Sequence, residues 1–252
     1  MSESHAVVEL ADRYVDAPAI RALVQMLPFG LGAAADLLVA ARVQSIRADR
    51  ARTFFDRLSS GEAEITPDLI ESEDFLHCYF STASAALRSR RREKATLLAD
   101  LLLGGICEDV LGEDDDYEEI LAVLDSMSLR EIRSLTLIED TELTNPKRDD
   151  ENDLTWARRH APRIHGRLTG ELGIAESETS SFVQRLSRTG LVEEILMGED
   201  GDSATLSFGW ATFKVTDRYR RLKRLIQSGQ RSALQDRNGD PDVCRAEPAR
   251  TR

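Results

Sequence analysis

Cysteine is scarce: Cys78, Cys107 and Cys244 are the only three in 252 residues. They are widely scattered and form no CxxC pair, which argues against a disulfide framework or a thiolate zinc site. No long hydrophobic run occurs either. The most apolar stretch, residues 17–41, is interrupted by Arg21, Pro28 and Asp36. Two charges inside lipid would cost several kcal/mol, so no membrane-spanning helix is expected there. The opening residues MSESHAVVELADRY show no basic region followed by an apolar core. No secretory signal is read in them, and the expected location is the cytoplasm.

Familiar catalytic signatures are missing as well. No Walker A loop, GxGxxG, HExxH or GxSxG occurs, which leaves phosphate cradling, zinc proteolysis and serine hydrolysis without support. His160 and His165 lie five apart around Pro162, and neither they nor the adjacent His77 and Cys78 have metal-ligand spacing. Asp236, Asn238, Asp240, Asp242 and Glu247 approach a calcium loop, but Pro241 stands where the turn glycine belongs. The chain is therefore read as non-enzymatic, with no cofactor and no metal.

What is present is helical patterning and an uneven charge. Apolar residues make up 41% and charged residues 31%, the balance of a globular protein, and the length fits two domains. Residues 1–150 hold 16 Lys+Arg against 30 Asp+Glu, whereas 151–230 hold 12 against 11. Contact with nucleic acid is thereby assigned to the second part, because the first would repel phosphate.

From residue 6 to 142 the apolar period is that of helices throughout. Thr66-Pro67-Asp68 reads as a hydroxyl cap, a proline at the first helical position and an acid in the first turn. Ser128-Leu129-Arg130-Glu131 reads as a capping box. Long helices are expected over about 32–58 and 72–106, with Gly61 and Gly104-Gly105 as stops. The acidic run 112–119 is read as a loop and an acid-rich first turn. This gives a mainly α fold: an acidic multi-helix bundle over 1–142, a linker over 143–153 built on Asn-Pro and charge, a second folded segment over 154–228, and a polar, disordered tail over 229–252.

Residues 154–228 read as helix, helix, hairpin, helix. Ser177 is the expected cap of the second helix, Phe182, Val183 and Leu186 face inward, and Gly190 ends it. Strands over 192–197 and 204–215 flank GEDGD, whose Asp-Gly is a reversal signal. Phe182, Leu186, RTGLV at 188–192 and FKVTDRYRRLKRL at 213–225 resemble the winged helix-turn-helix domain of bacterial transcriptional regulators. The resemblance implies a C-terminal winged helix with a small β-hairpin and a recognition helix over 178–189. On its outward stripe Ser181, Gln184, Arg185 and Arg188 would contact DNA or a protein partner, and a second basic cluster would include Arg220 and Lys223. Glu199, Asp200 and Asp202 at the wing tip oppose phosphate.

Within 72–106, RSRRREK interrupts the apolar stripe of Leu76, Phe80, Ala83, Leu87, Leu98 and Leu101. Arg90, Arg91 and Lys94 there form a candidate anion or ion-pair site, with Asp36 as the attractive partner in an otherwise apolar stretch. MLPFGLGAAADLLVAA, RVQSIRADRARTFFDRL and RSRRREKATLLADLLLGG together resemble uncharacterised bacterial abortive-infection and phage-defence proteins. That resemblance implies a helical domain that engages a protein partner or a membrane; the acidic bundle is also expected to associate with a second copy of the chain.

Overall fold

A computed structural model describes residues 9–15, 17–26, 37–61, 63, 65–112, 116–196 and 211–235. Asp36 and the rest of 27–36, the carboxylates Glu199, Asp200 and Asp202, and residues 236–252 lie outside the described residues, whereas 229–235, expected as the start of a disordered tail, are helical. The described chain is mainly helical with one two-stranded antiparallel hairpin, as the periodicity predicts. It divides into two compact units, residues 1–126 with 223–252, and residues 127–222.

The first unit is built on α1 (Pro18–Met26), α2 (Leu37–Ser59), α3 (Pro67–Glu71), α4 (Glu73–Arg88), α5 (Arg92–Cys107) and α6 (Asp116–Ser126). Local chemistry starts two of these helices, the first of them where the sequence places its cap. The Thr66 hydroxyl accepts the Leu69 N–H at 3.2 Å ahead of Pro67, and the Ser72 hydroxyl accepts the Phe75 N–H at 3.4 Å. α2, α4 and α5 pack on one another around Phe54, Phe55, Phe75, Tyr79, Leu98 and Leu102, all buried. The Tyr79 hydroxyl donates to the Leu23 carbonyl at 2.6 Å and fastens the end of α1 to this core.

The single helix expected over 72–106 is two helices. Ser89 leaves helical geometry at φ −62°, ψ 134°, and Arg91 is extended at φ −117°, ψ 140°. Arg50 of α2 donates to the Ser89 and Arg90 carbonyls at 3.1 and 2.9 Å, satisfying backbone groups that the break sets free. The arginine-rich interruption of the stripe is thus a corner, held by a side chain from another helix.

Gly104 and Gly105 are not stops, because α5 runs through them to Cys107. A Cβ on Gly104 would lie 1.9 Å from the Leu225 carbonyl oxygen of α10 (Asp217–Gln235), and one on Gly229 would lie 2.1 Å from the Asp100 carbonyl oxygen. Two glycines therefore let backbone meet backbone. Beside the crossing the buried Asp100 carboxylate is held by Arg57 and by Gln230 at 3.1 Å.

The second unit holds α7 (Leu129–Thr144), α8 (Asp153–Leu172), α9 (Glu176–Ser187), β1 (Val192–Leu196), β2 (Ala211–Val215) and the start of α10. Ser128 and Glu131 form the capping box at the start of α7. The boundary falls at Met127 and not over 143–153, since α7 packs on α8 and β2. The expected linker is an ordered corner: Trp156 Nε1 donates to the Asn145 carbonyl at 3.0 Å, and Arg159 holds Glu151 at 2.7 Å. Leu135, Ile138, Ile164, Leu168, Leu191 and Val215 fill the core. The hairpin pairs Val192 with Val215 and Leu196 with Ala211, and Glu193 meets Lys214 across it at 3.1 Å.

Candidate functional site

α8 ends at Gly173, whose φ of 61° and ψ of 33° are left-handed, with the Ile174 N–H reaching back to the Leu168 carbonyl at 3.3 Å. Buried Ile174 anchors the turn, and α9 begins after Ala175. A three-residue turn with glycine in the left-handed position is how two helices are joined at a steep angle. Ala175 is the N-cap, and no side chain caps this helix; Ser177, the expected cap, lies inside the first turn because the Gly173 turn dictates where helical geometry starts.

Phe182, Val183 and Leu186 are buried, which leaves Ser181, Gln184, Arg185 and Arg188 exposed on one stripe of α9, the set expected from the sequence. The side chains of Ser181, Gln184 and Arg188 have no hydrogen-bond or ion-pair partner among the described residues. Arg185 is engaged. Its Nε donates to Glu131 Oε1 at 2.7 Å, and its guanidinium carbon lies 5.1 Å from the centre of the Phe182 ring. Burial alone would raise the Glu131 carboxyl, but the Ser128 N–H and hydroxyl and the Arg185 guanidinium hold it below the usual carboxylate range. The first turn of α9 presents exposed Glu176 and Glu178.

Arg220 belongs to a different cluster, at the exit from the hairpin. It pairs with Asp217 at 2.7 Å and approaches Glu142 at 3.7 Å. Glu142 also accepts the Val215 N–H at 2.5 Å, and the Tyr219 hydroxyl donates to Glu139 at 3.0 Å. Burial pushes the Glu142 carboxyl up to about 7, against the Val215 N–H and Arg220, which lower it. Lys223 is half-buried, further along α10. The sequence reading missed Glu142, for nothing local distinguishes it from the other acids of α7.

His160 was set aside for lack of metal-ligand spacing, and the structure gives it another character. It is fully buried, stacks on Trp156 at 4.5 Å and 19°, and has no partner for either ring nitrogen. Burial, with Arg159 and Arg163 adding to it, lowers its pKa to about 4, so it is a neutral ring at pH 7.

In the first unit the expected cluster of Arg90, Arg91 and Lys94 does not share one partner. Lys94 donates to the Asp125 carbonyl and lies 3.9 Å from its carboxylate, whereas the Arg90 and Arg91 side chains are exposed without partners among the described residues. Asp36 lies outside those residues.

Among the described residues no three His, Cys, Asp or Glu side chains are grouped to hold a metal, and no helix is long and apolar enough to cross a membrane. No protein-family model, no curated protein and no solved structure matches the chain.

Proposed function

We propose that this protein is a cytoplasmic, non-enzymatic regulator that acts through residues 127–222 as a winged helix, with α9 as the reading helix and duplex DNA as its ligand. The observation that carries the reading is the Gly173 turn followed by an α9 stripe on which Ser181, Gln184 and Arg188 are exposed and unpartnered. A side-chain amide such as that of Gln184 matches the donor and acceptor edge of adenine, and a guanidinium such as that of Arg188 matches guanine or a phosphate oxygen. The β1–β2 hairpin follows α9 in the order of a wing.

Anisotropy with duplexes from upstream of its own coding region tests this. Salt-sensitive binding that falls about tenfold or more in the Gln184→Ala, Arg188→Ala double variant supports it. Equal binding by wild type and variant removes α9 as the reader.

Charge favours a second reading, in which the same face takes a protein in place of DNA. Residues 127–222 hold 14 Lys+Arg against 17 Asp+Glu, and α9 opens with Glu176 and Glu178. A polyanion gains little from such a surface. On this reading duplex binding at physiological salt is weaker than about 100 μM, the weak limit of non-specific contact.

A further inference from the structure

In the first unit, α4 and α6 lie side by side and leave an open trough of about 700 Å³ between them. A side-chain contact closes each end: His77 Nε2 lies 2.8 Å from Glu118, and Arg88 pairs with Asp125 at 3.0 Å. From His77 to Arg88 the trough follows α4 for eleven residues, about 16 Å or three helical turns. Phe80, Ala85, Leu121 and Ala122 line its length. Phe80 belongs to the apolar stripe that the sequence assigns to a core, yet it is only half-buried, and Ala122 is exposed.

The chemistry of the trough suits a helix better than a small molecule. A small-ligand pocket holds a few polar groups free to orient its guest. Here His77 and Glu118 at one end, and Arg88 and Asp125 at the other, are occupied by each other. A row of apolar and small side chains three turns long instead matches the face of an amphipathic helix, read at i, i+3, i+4 and i+7.

The two ends differ in charge. Beyond Arg88 the chain turns the corner held by Arg50, and there Arg90 and Arg91 stand exposed and unpartnered among the described residues. At the opposite end Glu73 and Asp74 are exposed. Acidic side chains at one end of an incoming helix would be drawn to the first end and repelled by the second, so charge fixes the direction of docking.

We propose that the α4–α6 trough is a docking site for an amphipathic helix of a partner protein, apolar on one face and acidic at the end that lies over Arg90 and Arg91. This gives the RSRRREK corner a role separate from that of α9.

The test uses the full chain and two fluorescent synthetic peptides, each an amphipathic helix of five turns with leucine at i, i+3, i+4 and i+7. One ends in three glutamates and the other in three lysines. The glutamate peptide is expected to bind with a Kd in the range of about 10–100 μM, and the lysine peptide at least about tenfold more weakly. Ala122→Glu, on an exposed position inside the trough, should weaken the glutamate peptide about tenfold, and Arg90→Glu with Arg91→Glu should reverse the preference between peptides. Unchanged melting temperatures confirm that both variants fold.

Equal binding of the two peptides, binding of neither, or binding indifferent to Ala122→Glu overturns the proposal. So does a concentration-dependent dimer abolished by Ala122→Glu, which would make a second copy the occupant. None of these outcomes touches the α9 reading, whose residues lie in the other unit.

Discussion

The Glu131 carboxylate serves two elements at once: Oε2 accepts the Ser128 N–H at 2.7 Å and Oε1 accepts Arg185 Nε at 2.7 Å. One side chain thus completes the cap of α7 and holds the most central arginine of the α9 stripe. Glu131 takes the Nε–H of Arg185 and so competes with any ligand for this guanidinium.

Glu131→Gln separates the two roles, since glutamine at this position still closes a capping box while its hold on a guanidinium is weaker. The variant should lose no more than about 1 kcal/mol of stability, because the pair is largely exposed on the arginine side. If DNA is the ligand, duplex affinity should rise and the salt slope should steepen by about one ion. Anisotropy over a salt series checks both; a weaker complex would show that the Arg185–Glu131 contact assists binding.

Glu142 and His160 give the second unit opposing pH responses. Glu142 titrates near 7 in the fold against an ordinary 4.5, so the folded state keeps its proton longer. The stability this contributes is present at low pH and is lost as pH rises through 7. Wild type should therefore lose stability relative to Glu142→Gln between about pH 5 and pH 8. Urea titrations followed through the near-ultraviolet signal of buried Trp156 report this difference.

For His160 the sign is reversed. Its folded pKa of about 4 lies below the ordinary 6.5, so the unfolded chain takes up the proton first and stability is lost as pH falls from 6.5 toward 4. His160→Phe keeps a ring against Trp156 and removes two buried nitrogens that have no partner. At pH 7 it should be at least as stable as wild type, and by pH 4 it should be ahead by up to about 3 kcal/mol. Parallel pH profiles for the two proteins would mean that water reaches the ring.

The glycines of α5 and α8 should respond in opposite directions to alanine. At Gly104 a methyl group would meet the Leu225 carbonyl oxygen at 1.9 Å, so the helices must part, at a cost of about 3 kcal/mol or more. At Gly166, inside α8, nothing lies within 4 Å of an added Cβ, and alanine should stabilise by about 0.5–1 kcal/mol. Thermal unfolding of the two variants side by side decides it.

These cases show what the sequence made legible. Thr66 and the Ser128–Glu131 box cap helices through contacts within three residues, so the signal and its effect are adjacent in the chain. The inward set Phe182, Val183 and Leu186, and with it the outward stripe of α9, follows from helical period alone. Long-range contacts decided the rest. The corner at Ser89 depends on Arg50, about forty positions earlier, and Gly104 looks like a stop unless Leu225 is known to press on it. The unit boundary was misplaced because Asn145 and Glu151, polar residues in a polar stretch, are fixed by Trp156 and Arg159 from the following helix.

The central claim is that the exposed face of α9 meets the ligand, and a photo-crosslinking side chain at Ser181 tests it most directly. Ser181 is exposed and unpartnered, so the replacement leaves the fold intact. Irradiation in cells should yield DNA adducts at 181 that are absent when the crosslinker stands at exposed Arg133 on α7. Adducts with a discrete protein would shift the ligand to the second reading, and adducts no more abundant at 181 than at 133 would contradict the account.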